Sequence, residues 1–160
     1  MRSKKRPLRR ENMADKSKIG KEYPPFTWEV EKGKIKELVQ AIGDKNPIFQ
    51  DREAATAAGY KDIVASPTYI TVPMNWSNQL MGMIKDLQIN FLKVLHGEEG
   101  YEYFGEIHPG DILTGKAKVA DIQTKSGKTG EMDLIKIEIN YTNQEGKPVL
   151  KANSLIVERK

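Results

Sequence analysis

Between Thr68 and Met83 the sequence places Tyr69, Ile70, Val72, Pro73, Met74, Trp76, Leu80, Met81 and Met83 on nearly every side of a helical wheel. A helix that is apolar all round has no face to show to water, so the rest of the chain must cover it. Ser66 is a good N-cap and Pro67 suits the first helical position, which predicts one long helix from Thr68 to about Met83. After Asp86 the chemistry turns to strands. Leu87 to Leu95, Tyr101 to Glu106, Ile112 to Asp121, Met132 to Tyr141 and Val149 to Val157 are rich in β-branched or aromatic residues, and Gly-Glu-Glu-Gly, His-Pro-Gly-Asp, Lys-Ser-Gly-Lys and Asn-Gln-Glu-Gly runs separate them as turns. Alternation is cleanest where Ile135, Ile137, Ile139 and Tyr141 face one way and Leu134, Lys136, Glu138 and Asn140 the other. Short turns join strands as antiparallel hairpins. The predicted class is α+β, an antiparallel sheet wrapped around one long central helix.

The region before that helix adds smaller elements. Phe26, Trp28 and Val30 alternate at period two and predict a strand from Tyr23 to Val30. Ile35, Leu38, Val39 and Ile42 share one side of a helix that stops at Gly43. Asp51 then caps a short alanine-rich helix, Arg52 to Ala58, closed by Gly59. A chain of 160 residues with 38% apolar content supports one core, so a single domain is expected over residues 20–160 behind a basic, disordered tail at 1–19.

Charge and composition exclude several classes of function. Six of the 26 basic residues (Arg2, Lys4, Lys5, Arg6, Arg9 and Arg10) lie in the first ten positions, and residues 13–160 carry 20 basic against 21 acidic side chains. The net charge of +4 therefore belongs to the tail, and nucleic acid is not an expected partner of the folded body. Met13 follows the tail and offers an alternative start, with residues 1–12 as an upstream extension. With no cysteine, the chain has no thiolate metal site and no disulfide. No apolar run is long enough to span a bilayer, and no signal-type segment follows the N-terminal charges, so a cytoplasmic location is expected.

The two histidines stand apart from any metal-ligand spacing, and no metal is expected. His108 precedes Pro109-Gly110-Asp111, where a solvated ring in a turn is predicted. His96 ends an apolar strand before Gly97, where a ring hydrogen-bonded to backbone is predicted. Gly127-Lys128-Thr129-Gly130 lacks the first glycine of a P-loop and lies between two strands, so it reads as a hairpin turn.

One constellation is specific. Gly43-Asp44-Lys45-Asn46-Pro47-Ile48-Phe49-Gln50-Asp51 is followed by Ala54, Ala55, Ala58 and Gly59-Tyr60, then by Ile63-Val64-Ala65-Ser66-Pro67 leading into the central helix. This order and spacing resembles the MaoC-like hydratase/dehydratase family of the hot-dog fold. Val94-Leu95-His96-Gly97-Glu98-Glu99-Gly100-Tyr101-Glu102-Tyr103, with His108-Pro109-Gly110-Asp111, resembles its branch related to the dehydratase domains of fatty-acid synthase, the MaoC N-terminal type. The resemblance covers about Gly20 to Glu158. It implies (3R)-hydroxyacyl or trans-2-enoyl thioesters of coenzyme A or acyl carrier protein as substrates, no cofactor, and a dimer. In active members the aspartate and histidine of the motif exchange acid and base roles on one water, and the N-terminus of the central helix polarises the thioester carbonyl.

This chain departs from the pattern at its centre. Asp44 stands at the aspartate position and, with Asn46, is a candidate catalytic residue of a degenerate site, but Phe49 occupies the histidine position and cannot transfer a proton. Ser66-Pro67 replaces the usual His-Gly, and Pro67 has no N–H to offer an oxygen. The resemblance thus implies a subunit like the substrate-binding half of heterodimeric hydroxyacyl-ACP dehydratases, inactive alone and completed by a catalytic MaoC-like partner. Its alternatives are a self-sufficient enoyl-CoA hydratase homodimer, with Asp44 and His96 as the remaining acid–base groups, and a non-catalytic acyl-thioester-binding protein. The residues expected to line the acyl site are Phe49, Tyr60, Ala65, Ser66, Tyr69, Val72, Met74 and Trp76.

Overall fold

A computed structural model of the protein describes residues 14–127 and 130–159. Its strands are β1 (Phe26–Glu29), β2 (Val94–Tyr103), β3 (Ile112–Gly127), β4 (Gly130–Thr142) and β5 (Pro148–Arg159), in one antiparallel sheet of order β1-β3-β4-β5-β2. The helices are α1 (Lys32–Ala41), α2 (Arg52–Ala57), α3 (Thr71–Trp76) and α4 (Gln79–Asp86). The α+β class with a wrapped sheet is therefore observed.

Register follows from the pleat. Ile137 pairs with Val119 and Ser154, and Ile139 with Ala117 and Ala152, so one face of the three long strands is largely apolar, interrupted by Ser154 and by the buried Asp133–Glu158 pair. The opposite face is charged: Glu138 lies 2.8 Å from Lys151 and 3.8 Å from Lys118. Close packing at the β1 end requires Gly115, because a Cβ there would sit 2.5 Å from Phe26 Cζ and 2.8 Å from Tyr141 Cε1. Those two rings meet edge-to-face, with centroids 5.9 Å apart.

The central helix differs from its prediction. Residues 67–70 form turns, in which the Tyr69 N–H donates to Ser66 O and the Val72 N–H to Tyr69 O. Pro73 explains the late start, since a helix running from Thr68 would bury Pro73 where its ring clashes with the preceding turn. In α3 it is the third residue, where no intrahelical N–H is required. A second break follows at Asn78, which adopts the left-handed conformation with φ 58° and starts α4. Two short helices thus replace one, and they are not apolar toward the sheet on all sides. Trp76 is 64% exposed, with the Lys34 ammonium 4.5 Å from its ring centroid, and Met81 is also exposed.

The Gly-Glu-Glu-Gly run is not a turn. β2 passes straight through it, and the register against β5 shifts between His96 and Glu98. Gly97 is the bulge residue, because a Cβ there would meet Leu155 O and Val157 Cγ2 at 3.0 Å. The segment expected as a strand from Leu87 is instead the end of α4 and a 3-10 turn at Phe91–Lys93. β3 and β4 pair as far as Gly127 and Gly130, and residues 128 and 129 of the expected hairpin lie outside the described residues.

The tail boundary also moves. Residues 14–19 are packed on the domain: Ala14 is buried and its N–H donates to Asp133 Oδ2 at 2.7 Å, while Lys16–Lys18 form a 3-10 turn. Lys18 and Lys21 approach Asp86 at 3.2 and 2.6 Å, and the Tyr23 hydroxyl donates to the same carboxylate at 3.0 Å. These donors hold the Asp86 carboxyl down at about 2. Residues 1–13 lie outside the described residues. No helix among the described residues is long and apolar enough to cross a membrane.

Candidate functional site

The motif segment folds as a chain of local caps. Gly43 takes φ 72° at the end of α1, and Asp44 then turns back so that its Oδ1 accepts the Asn46 N–H at 2.9 Å. Asn46 Oδ1 accepts the Ile48 N–H at 3.2 Å and starts a 3-10 turn, Pro47–Phe49, that drives Phe49 into the core. Asp51 Oδ1 accepts the Ala54 N–H at 2.8 Å and caps α2. The next segment is laced to its neighbours by the Val64 N–H to Ile48 O (3.2 Å) and the Ala65 N–H to Ile107 O (2.8 Å). Ser66 is buried, and its Oγ has no hydrogen-bond partner among the described residues. Tyr69 is fully buried, and its hydroxyl accepts the Trp28 indole N–H at 3.1 Å.

A cavity of about 220 Å³ lies between the broken helix and the inner face of the sheet. Ile70, Met74, Leu80 and Ile84 form its helical side, and Ile137, Ile139, Tyr141 and Ile156 its sheet side. Phe91 and Leu95 line it and are also exposed, which places its mouth beside β2. Among the described residues β2 pairs only with β5, which leaves its other edge free of strand pairing there.

One part of the wall is polar. His96, Glu99 and Ser154 line the cavity together: Ser154 Oγ donates to Glu99 Oε2 at 2.5 Å, and His96 Nε2 lies 3.0 Å from the same oxygen. The His96 ring is therefore exposed and paired to a carboxylate, not bonded to backbone at a strand end. Tyr101, two residues along the strand, has its hydroxyl pushed up by burial and by the nearby Glu99. His108 reverses its prediction as well. It is buried, with Nδ1 3.0 Å from Ile63 O and Nε2 2.9 Å from Glu106 Oε2, and its backbone N–H donates to Asp111 Oδ2 at 2.7 Å.

Of the residues expected at the acyl site, Met74 lines this cavity, whereas Phe49, Tyr60, Ala65, Ser66, Tyr69, Val72 and Trp76 do not. Asp44 and Asn46 are in the surface turn, and of the three groups expected to carry residual chemistry only His96 faces the cavity. Sequence alone does not single out Glu99 and Ser154, because Gly97 and Gly100 read locally as a turn. The signal available was the alternation of β5, whose inner face runs Ala152, Ser154, Ile156. No group of three or more potential metal ligands occurs among the described residues.

The model of the family described as FAS1-like, dehydratase domain region, matches residues 17–152. A UPF0336 protein of Saccharopolyspora erythraea is 35% identical over 146 residues, covering 91% of this chain and 91% of that protein. Among solved structures, the HadBC (3R-hydroxyacyl-ACP dehydratase) complex from Mycobacterium tuberculosis is similar with a TM-score of 0.75 at 19% identity, covering 88% of this chain and 96% of that one. The ChsH1–ChsH2 complex from the same organism is similar with a TM-score of 0.68 at 25% identity, covering 88% of this chain and 85% of that one. The chain belongs to the FAS1-like dehydratase-region family and has the hot-dog fold of the MaoC-like dehydratases.

Proposed function

We propose that this protein is the substrate-binding, non-catalytic half of a (3R)-hydroxyacyl-thioester dehydratase, or enoyl-thioester hydratase, completed by a catalytic MaoC-like hot-dog chain. The observation that carries this reading is the separation of the motif from the cavity. Asp44 is engaged in a surface turn and Phe49 is buried in the core, so no acid–base pair from the motif faces the apolar chamber. What remains is a container for an acyl chain of a CoA or acyl-carrier-protein thioester, with an apolar helical wall and an adaptable methionine, Met74. Acid–base chemistry on one water needs no cofactor. The free edge of β2 and the exposed Phe91, Leu92, Leu95 and Phe104 around it supply the docking face for the partner.

The test is enoyl-CoA hydration by the purified chain alone and with a MaoC-like chain carrying an intact aspartate and histidine. The expected outcome is negligible turnover alone and restored turnover in the mixture, because loss of a general acid or base costs about 10² to 10⁴ in rate. A second reading, a self-sufficient homodimeric hydratase, draws on the one histidine at the cavity, His96. Rapid turnover by the isolated chain, abolished by His96→Ala, would establish that reading and remove the first.

A further inference from the structure

Toward one end of the sheet the inner face carries a polar row. Thr124 of β3 pairs with Asp133 of β4, and Asp133 with Glu158 of β5. Asp133 is 0% exposed and Glu158 3%, so two carboxyl side chains stand on adjacent strands with almost no water around them. Like charges side by side repel, and burial removes the water that would screen them. Such a pair calls for a cation.

Three neutral donors reach it. Thr124 Oγ1 donates to Asp133 Oδ1 at 2.7 Å, the Ala14 N–H to Asp133 Oδ2 at 2.7 Å, and the Asn90 N–H to Glu158 Oε1 at 2.6 Å. Glu158 Oε2 is buried and has no hydrogen-bond partner among the described residues. Of the three donors, only the Ala14 nitrogen can become a cation. Inside a chain it is an amide with one proton, already committed to Asp133. At the start of a chain the same nitrogen is an α-ammonium, with three N–H groups and a full positive charge. Ala14 is itself 3% exposed, so that charge would share the low-dielectric surroundings of the carboxylates. The residue before it is Met13, and alanine is small enough to permit removal of an initiating methionine.

We propose that the working form of this protein begins at Ala14, and that its α-ammonium is the cation of the Asp133–Glu158 pair. Synthesis starts at Met13, and a methionine aminopeptidase removes that residue from the emerging chain before folding buries the site. Water cleaves the Met13–Ala14 peptide bond. Its oxygen joins the methionine carbonyl carbon to leave a free methionine carboxylate, and both of its hydrogens end on the Ala14 nitrogen as –NH3+. One N–H keeps the bond to Asp133 Oδ2, and the other two are available to Glu158 Oε2, an acceptor on the neighbouring strand. A hydrogen bond from a charged donor is stronger than one from an amide, so the first residues are fastened to the sheet by charge. Removing residues 1–12 with Met13 kept leaves the nitrogen an amide.

The test compares, by thermal denaturation at pH 7, the chain beginning at Ala14, the same chain with that amine acetylated, and the full chain. Acetylation keeps an N–H and removes the charge. The free-amine chain is expected to melt about 2–4 °C above the other two, which should melt together. An acetylated chain that fails to fold while the free-amine chain folds gives the same answer. Glu158→Gln and Asp133→Asn, each made in both the free-amine and the acetylated chain, should narrow the gap, because each removes one of the charges that the ammonium faces. Equal melting of the free-amine and acetylated chains, or a gap that neither substitution narrows, would overturn the proposal. N-terminal sequencing of the protein made in its own cells should read from Ala14 onward, and a first residue upstream of it would overturn the proposal as well.

Discussion

His108 Nδ1 lies 3.0 Å from the carbonyl oxygen of Ile63, 45 residues earlier in the chain. Together with the Ala65 N–H to Ile107 O bond, it ties the segment entering α3 to the connection between β2 and β3. Removing the ring leaves a buried carbonyl without its donor. His108→Ala is expected to lower the unfolding free energy by about 1–3 kcal/mol, read from the urea midpoint at constant slope. An unchanged midpoint would show that this tie carries no stability.

Gly115 makes a second packing prediction. The Phe26 and Tyr141 rings occupy the space of its missing side chain, so Gly115→Ala must displace them. Overpacking of this kind costs about 1–3 kcal/mol. Because the nearest contact is the tip of the Phe26 ring, Phe26→Leu in the same chain should recover part of the loss. Additive losses in the double variant would contradict the contact.

How much of this was legible beforehand depended on whether the signal was local. The caps at Asp51 and the stops at Gly43 and Gly59 are short-range chemistry, and they stand where the residues place them. The alternation of Ile135, Ile137 and Ile139 marked the inner face of β4 for the same reason. The broken helix was harder, because apolar content alone says nothing about Pro73 and Asn78 as backbone constraints. Glycine misled at Gly97 and Gly100. The same residue that ends a strand also permits the close approach of a bulge, and only the partner strand distinguishes the two. His108 is buried, against the solvated ring that its turn predicts, because its partners, Ile63 and Glu106, are fixed by tertiary packing and not by the turn that follows it.

The Asp86 cluster gives a pH prediction. Its carboxyl is held at about 2, against about 3.9 for an ordinary aspartate, by the Lys21 and Lys18 ammonium groups and the Tyr23 hydroxyl. The folded value lies below the unfolded one, so the contribution to stability is fully present above about pH 4 and is lost as pH falls toward 2. Asp86→Asn should therefore flatten the loss of stability between pH 4 and 2. At pH 7 its cost should not exceed about 1 kcal/mol, since the pairs are partly solvated. Thermal denaturation across that pH range decides it, and parallel curves for both proteins would contradict the assignment.

The ordered segment 14–19 makes the N-terminus separable by experiment. Deleting residues 1–12 should leave the melting temperature unchanged, because the stretch has no apolar periodicity with which to dock. Deleting residues 1–19 also removes the Ala14 N–H from the buried Asp133, and loss of that bond should cost about 1–3 kcal/mol. Equal stability of the two shortened chains would show that the Ala14 contact is not used.

Asp44 offers the sharpest separation of structure from catalysis. Its Oδ1 accepts the Asn46 N–H at 2.9 Å, and an asparagine side chain presents an oxygen at the same position. Asp44→Asn is therefore expected to keep the turn and leave the denaturation midpoint unchanged. Asp44→Ala removes the acceptor and should cost about 0.5–1.5 kcal/mol. In a reconstituted complex with a catalytic MaoC-like chain, Asp44→Asn should alter turnover by less than a few-fold. The matching change in the partner's own aspartate should lower it by about 10² to 10⁴, the usual range for a lost acid or base. A loss of that size from Asp44→Asn in this chain would return the carboxylate to the chemistry, because an isosteric change that leaves the turn intact can act only through the missing charge and proton.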